Sequence, residues 1–235
     1  IPDAADALVA IRRLVYDERR LTLPELVAIL KDDWTGQEAL RREVASRYPG
    51  YGNDDAEGDG MAQRVLGDFL AAAERVRERD GVLRPPGVST FGRALGWRQQ
   101  RGATAAGRKA GEILSNNFSP APGMDRHGPT AVIRSHTGLD LVRLANGTAL
   151  ELKLHPSAVQ GEEGLRGLVE LMRTFLRLGG FFLQIDVVDN DTLRDAQAHP
   201  ERYPNLAVRV SGWSARFVTL DSEWQELIIQ RTEQR

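Results

Sequence analysis

"AVRVSGWSARF", residues 207–217, sets one glycine, Gly212, among bulky and β-favouring neighbours. Strand interiors disfavour glycine, which adds backbone entropy to the unfolded chain and offers nothing to pack, so its presence needs a reason. On the local pattern alone, Ser211-Gly212 reads as the turn of a hairpin. "LAVRV" (206–210) before it reads as a strand, and "SEWQELIIQRTEQ" (222–234) after it as a closing helix.

Working outward, "FFLQIDVV" (181–188) alternates Leu183, Ile185 and Val187 as a strand does, and "DNDTLRDAQAHP" (189–200) is a short capped helix. Leu165, Leu168, Met172, Phe175 and Leu176 mark a helix that Gly179-Gly180 stops. "NGTALELKL" (146–154) is another strand, and "TAVIRS" (130–135) is a short strand or a helix start. Strands that alternate with helices predict an α/β architecture. The first eighty residues read as mainly helical. A helix over 4–19 places Leu8, Ile11, Leu14 and Val15 on one face. A second is capped by Thr22, with Pro24 and Glu25 in its first turn. A third spans 37–46, and a fourth runs over 61–79. Residues 49–60, 81–112 and 115–130 are too rich in Gly, Pro and polar side chains for long regular elements. The chain opens on "IPDAADALVAI" with a helical pattern almost at once, and the expectation is that something lies upstream or on another polypeptide.

Composition narrows the function classes. The net charge of −2 comes from 31 basic and 33 acidic residues, so no global field recruits nucleic acid or anionic lipid. No apolar run approaches the roughly 20 residues that span a bilayer, and no signal-peptide pattern opens the chain. Neither nucleic acid nor a membrane is an expected partner, and a cytoplasmic location is expected. There are 0 cysteines, which excludes disulfides, thiolate metal sites and a cysteine nucleophile within this chain. The 4 histidines, His127, His136, His155 and His199, show no helical metal-ligand spacing, so no bound metal or cofactor is expected.

Two local patterns carry less than they first offer. "GATAAGRK" (102–109) fails as a phosphate loop, because Arg108 and Lys109 stand where lysine and the magnesium-binding hydroxyl belong. His155 in "KLHPSA" is a candidate general base or, more simply, a histidine that satisfies a loop.

Several stretches together carry a resemblance. "RVSGWSARF", "DTLRDAQAHPERYPNLAVRV", "NGTALELKLHPSAV", "HGPTAVIRS", "GATAAGRKAGE" and "YGNDD" are similar, in order and along almost the whole chain, to the C-terminal part of a glycyl radical enzyme. The resemblance implies the C-terminal portion of a ten-stranded α/β barrel. Residues 1–112 would be helices and loops of the barrel's second half, and 113–235 the glycyl radical domain. It implies that Gly212 is modified to a stored radical, with Arg209, Val210, Ser211, Trp213 and Phe217 forming the loop around it. A β-carbon would twist the radical centre out of the plane it shares with its flanking peptide groups, and glycine has none.

The family's cycle implies three partners: a separate activating enzyme that uses S-adenosylmethionine and an iron–sulfur cluster, a small-molecule substrate, and a cysteine that relays the radical. With no cysteine here, that residue belongs to an N-terminal portion or to a separate larger subunit, and this chain alone is not expected to turn over. An anaerobic setting follows from the oxygen sensitivity of such a radical.

"HGPTA" and "HPSA" resemble the lyase, dehydratase, decarboxylase and fumarate-adding branches more than pyruvate formate-lyase. Two residues depart from the usual pattern: Trp213 replaces the tyrosine after the radical glycine, and Phe181-Phe182 stand where a polar residue is common. If Phe182 faces the cavity, the pocket is apolar there; otherwise it packs the barrel wall. The expectation is a carbon-skeleton lyase such as an arylacetate decarboxylase. The alternatives are a fumarate-adding synthase, a radical dehydratase or carbon–nitrogen lyase, and a non-catalytic spare radical subunit that repairs a partner.

Overall fold

Helices carry the first third of the chain. The computed structural model describes residues 1–235 except Arg77, Asp80, Phe91, Ser211, Gly212 and Arg235, and the side chains of Arg79 and Ala94. Helix α1 (Pro2–Ile11) continues into a π-helical stretch over Arg12–Asp17. Then come α2 (Leu23–Lys31), α3 (Glu38–Arg47) and α4 (Ala56–Glu74). Thr22 accepts from the Glu25 backbone, and the Glu25 side chain accepts from Thr22 N in return, so a capping box starts α2 at the expected residue.

Of the expected face, Leu14 is buried and Ile11 and Val15 pack against the same core, whereas Leu8 is 43% exposed and Ala5, Val9 and Ala10 fill the buried positions of α1. A π turn takes more residues than an α turn, so counting back from Leu14 in steps of 3.6 lands one residue off the true face. Helix α4 also starts earlier than the glycine-rich sequence implies. Asp55 caps it by accepting from Glu57 N and Gly58 N. Gly58 then lets another chain segment pass, since a β-carbon there would sit 2.6 Å from Gly50 O. The core of this lobe gathers Val9, Leu14, Trp34, Tyr51, Leu66 and Phe118.

The short strands β1 (Glu78–Arg79) and β2 (Val82–Leu83) form a small hairpin, and α5 (Ala94–Arg98) follows. "TAVIRS" belongs to helix α6 (Gly128–Thr137). Next come β3 (Leu150–Leu154), α7 (Gly161–Arg177), β4 (Leu183–Val187) and α8 (Asn190–Ala198). The strands β5 (Ala207–Arg209) and β6 (Ser214–Arg216), helix α9 (Ser222–Gln230) and β7 (Glu233–Gln234) complete the order. Helix α7 ends as the sequence indicates. Gly179 takes φ +90°, and the amides of Gly179 and Gly180 bond back to Leu176 O and Phe175 O.

Strand β3 lies between β4 and β7 and is parallel to both. Leu150, Leu152, Leu183 and Ile185 turn one face of this sheet to Val132 and Ile133 of α6 and to Leu171 and Phe175 of α7. All five residues of β3 are buried, so the alternating Glu151 and Lys153 point into a covered interior. Parallel strands with both faces covered have no solvent side for their polar residues.

Beside this sheet, His136 is buried, stacks on Phe175 at 6.2 Å and lies 3.3 Å from the Tyr51 hydroxyl. Burial lowers its pKa from 6.5 to about 4. The unfolded chain therefore takes up this proton below pH 6.5 and the folded one does not, so unfolding gains as pH falls from 6.5 to about 4. Buried Asp6, raised to about 7, pulls the other way over the same range, so the comparison isolates His136: between pH 7 and pH 5 the urea stability of wild type should shift toward unfolding relative to that of His136→Gln. Helix α4 gives a second prediction. Gly58→Ala should destabilise by about 1–3 kcal/mol through overpacking, while Gly67→Ala, with nothing within 4 Å of its β-carbon position, should stabilise by about 0.5–1 kcal/mol. Equal shifts in thermal unfolding for the two variants would contradict the close-crossing account.

Candidate functional site

The hairpin expected around Gly212 is present on both sides of it. Strands β5 and β6 pair antiparallel, with Ala207 opposite Arg216, Val208 opposite Ala215 and Arg209 opposite Ser214. Val210 N donates to Trp213 O at 2.9 Å and closes the pairing next to the tip. Ser211 and Gly212 themselves lie outside the described residues. Val208, Val210 and Phe217 are buried, while Trp213 is 49% exposed. Phe217 belongs to the apolar cluster of Val208, Leu193, Leu227 and Ile228, which ties the hairpin's base to α8 and α9.

The hairpin rests on the polar side of the sheet. Asp186 of β4 accepts from Arg209 N at 3.0 Å, and Gln184 donates to Arg209 O at 3.4 Å. Arg231, just after α9, reaches the same place. Its Nη1 is 2.9 Å from an Asp186 carboxylate oxygen and 3.1 Å from Arg209 O. Its Nη2 is 3.1 Å from Glu151 and 2.7 Å from Val210 O. One guanidinium thus joins two buried carboxylates to two consecutive carbonyls of the strand that enters Ser211-Gly212.

Each member of this cluster is held by others. Glu151 accepts from Asn116 Nδ2 at 2.6 Å and Asn117 Nδ2 at 2.7 Å, so the loop "NNFS" cradles it. Burial raises the Glu151 carboxyl, Arg231 opposes that shift, and Asp186 adds to it. Asp186 is likewise raised by burial and lowered by Arg231. Lys153 donates to Asn190 Oδ1 at 2.7 Å and to Ile229 O at 2.9 Å, and burial lowers it to about 8. The ammonium therefore caps the C-terminal carbonyls of α9 from within the sheet. A cavity of about 40 Å³, lined by Asn116, Ser119, Asp125, Glu151, Lys153 and Arg231 among others, lies against this polar face. That is space for an ordered water or two.

The other candidate residues lie on other segments of the chain. His155 follows β3, and its Nδ1 contacts Ser157 Oγ at 2.6 Å and accepts from Ser157 N at 3.1 Å, capping a 3-10 turn. Phe181 and Phe182 precede β4 and are 50% and 42% exposed. Phe182 is four residues before Asp186, about 13 Å along an extended strand. Arg108 donates to Lys109 O at 3.0 Å and Glu112 O at 2.8 Å, which makes "GATAAGRK" a braced turn. A larger cleft, about 350 Å³, is lined by residues such as Asp3, Asp6, Arg41 and Met124 and by none of the described residues of 207–217. Residue types alone do not disclose Glu151, Asp186 and Arg231. The available signal was a charged or polar residue at every second position of two otherwise apolar strands, "LELKL" and "LQIDV".

Comparison with known proteins brings the two halves of the chain together. A pyruvate formate lyase-like family profile matches residues 1–95, and a glycine radical profile matches 114–218. The probable dehydratase YbiW of Escherichia coli (strain K12) is 35% identical over 99% of this chain and 30% of its own length. Indoleacetate decarboxylase of Tractidigestivibacter scatoligenes is 36% identical over 98% of this chain and 29% of its own. Among solved structures, the glycerol-bound B12-independent glycerol dehydratase of Clostridium butyricum superposes with a TM-score of 0.93, at 36% identity over 99% of this chain and 30% of that one. The chain thus spans about 30% of the length of these relatives, and its fold is that of the corresponding part of a glycyl radical enzyme barrel.

Asp186 bridges the hairpin amide and Arg231, so Asp186→Ala should leave a buried charge with one carboxylate fewer and cost about 3–5 kcal/mol. Asp186→Asn, which keeps an acceptor, should cost less in chemical denaturation.

Proposed function

The chain belongs to the glycyl radical enzymes, matching their C-terminal part, and from that premise we propose that it stores an organic radical on Gly212. The observation that carries the reading is the hairpin whose strands flank that glycine in sequence, held on a covered polar bed by Arg231 and Asp186. Removal of one hydrogen atom from the Gly212 α-carbon leaves an unpaired electron between an electron-donating amide nitrogen and an electron-accepting carbonyl. Arg209, Val210, Ser211, Trp213 and Phe217 surround or approach that position in sequence, and burial of Val208 and Phe217 keeps the hairpin's base dry. An activating enzyme with S-adenosylmethionine and an iron–sulfur cluster takes the hydrogen atom. The division at residue 113 separates the helices and loops of residues 1–112 from the radical-bearing 113–235.

The stored radical acts by taking a hydrogen atom from a thiol, leaving glycine restored and a thiyl radical. This chain has 0 cysteines, so the thiol is supplied by an N-terminal portion or a separate subunit, and the chain alone has no turnover. An exposed apolar stripe supports that partner. Leu165, Met172, Leu176 and Leu178 of α7 and the following turn are 57%, 41%, 65% and 47% exposed, with Phe181 and Phe182 beside them. Contiguous apolar surface of this kind marks a face that another element covers.

For the reaction we propose a carbon-skeleton lyase, with an arylacetate decarboxylase as the first choice. The apolar Phe181-Phe182 pair and the similarity to indoleacetate decarboxylase support it. A radical dehydratase is the second reading, favoured by the similarity to YbiW and the glycerol dehydratase.

Air exposure after anaerobic activation tests the radical assignment. Oxygen should cut the chain next to Gly212 and give a fragment ending near Ser211 by intact-mass analysis, and Gly212→Ala should remain whole. Cleavage elsewhere, or cleavage of Gly212→Ala, would contradict the assignment. Assembly tests the apolar stripe: Met172→Asp should weaken association with the cysteine-bearing part by about tenfold or more, measured as a dissociation constant or as loss of the native complex.

A further inference from the structure

The guanidinium of Arg231 directs two N–H groups from each terminal nitrogen, and each nitrogen divides its donors in the same way. Nη1 serves Asp186 and Arg209 O, and Nη2 serves Glu151 and Val210 O. The two carbonyls are consecutive and lie directly before Ser211-Gly212, while the two carboxylates sit on neighbouring strands of the sheet. A planar fork matches this arrangement, whereas an ammonium on a single nitrogen cannot span all four acceptors.

The two sides of the fork differ in how firmly they are fixed. The segment that carries Arg231 is stitched down at each of the next three residues. Thr232 Oγ accepts from Gly123 N at 3.0 Å, Glu233 accepts from Asn190 N at 2.8 Å, and Gln234 O accepts from His155 N at 2.8 Å. Glu151 and Asp186 are parts of the parallel sheet. The hairpin is a separate two-stranded sheet of three residue pairs, and such a sheet is marginal by itself. If the hairpin lifts, Arg231 keeps both carboxylates, and no charge is left buried and unpaired. The hairpin loses two carbonyl bonds to Arg231 and the bonds from its own Arg209 to Asp186 and Gln184.

We infer that Arg231 is a positioning residue, a latch whose guanidinium holds the strand entering Ser211-Gly212 against the sheet and whose two carbonyl bonds open when the hairpin is presented for hydrogen abstraction. The functional half of this inference rests on the assignment of the radical to Gly212. The structural half does not.

The test is amide hydrogen exchange by mass spectrometry on the intact, non-activated protein, comparing wild type with Arg231→Lys. Lysine keeps the charge for the carboxylates and gives up the fork. Peptides covering 207–217 should exchange at least about tenfold faster, with 150–154 and 222–230 within about twofold of wild type. An unchanged rate over 207–217 would overturn the latch. So would a rise shared equally by all three regions, because Arg231 would then serve only general stability. If Arg231→Lys does not accumulate as folded protein, Glu151→Gln, which weakens one side of the fork, is judged by the same two outcomes. With the activating enzyme present, the initial rate of radical formation should rise with the exchange rate, and faster exchange without faster formation would overturn the functional half. Failure to form any radical in wild type would instead count against the Gly212 assignment and leave the exchange result standing.

Discussion

The structure turns on a row of charged and polar side chains buried where a parallel sheet has no solvent face. Glu151 and Lys153 on β3, and Gln184 and Asp186 on β4, project from the face opposite the leucines that pack on α6 and α7. Burying such groups is costly unless each finds a charged or hydrogen-bonding partner. Their partners come from distant parts of the chain. Asn116 and Asn117 serve Glu151, the last carbonyls of α9 and Asn190 serve Lys153, and Arg231 serves both acids. Satisfying that row fixes the Asn-rich loop, the C-terminal segment and the hairpin relative to one another.

That constraint suits a site that must be both sealed and openable. A stored radical needs a rigid, dry surrounding, whereas its formation by another protein requires access. Apolar contacts of Val208 and Phe217 seal the hairpin's base, and Val210 is buried next to its tip. Polar bonds at Arg209 and Val210 hold its entering strand and can be exchanged for bonds to water. Conformational steps of this kind depend on a few ties between an element and a fixed scaffold. The scaffold here is the sheet with the C-terminal segment paired to β3.

Much of this was legible in the sequence, for identifiable reasons. Thr22 with Glu25 spells a capping box, Gly179-Gly180 a helix stop, and alternation around Ser211-Gly212 a hairpin, because each depends on near neighbours. The resemblance along the chain located the candidate radical glycine and the barrel fold. What stayed hidden depends on partners far away in sequence. Gly58 reads as a helix breaker until Gly50 O is seen across it, and Leu8 of α1 is misplaced onto the buried face because a π turn leaves no local signature. Arg231 looks like an ordinary charge at the end of a surface helix, and only the fold brings it to Glu151, Asp186 and the two carbonyls. His155 follows β3 and caps a 3-10 turn through Ser157, and Phe182 immediately precedes β4.

The central claim is that Gly212 carries the unpaired electron. Electron paramagnetic resonance of the anaerobically activated protein tests it most directly, with glycine either unlabelled or deuterated at its α-carbon. The account predicts a signal split in two by the one remaining α-hydrogen, collapsing toward a single line on deuteration and absent from Gly212→Ala. A signal that keeps its splitting in deuterated protein, or that persists in Gly212→Ala, would place the radical elsewhere and contradict it.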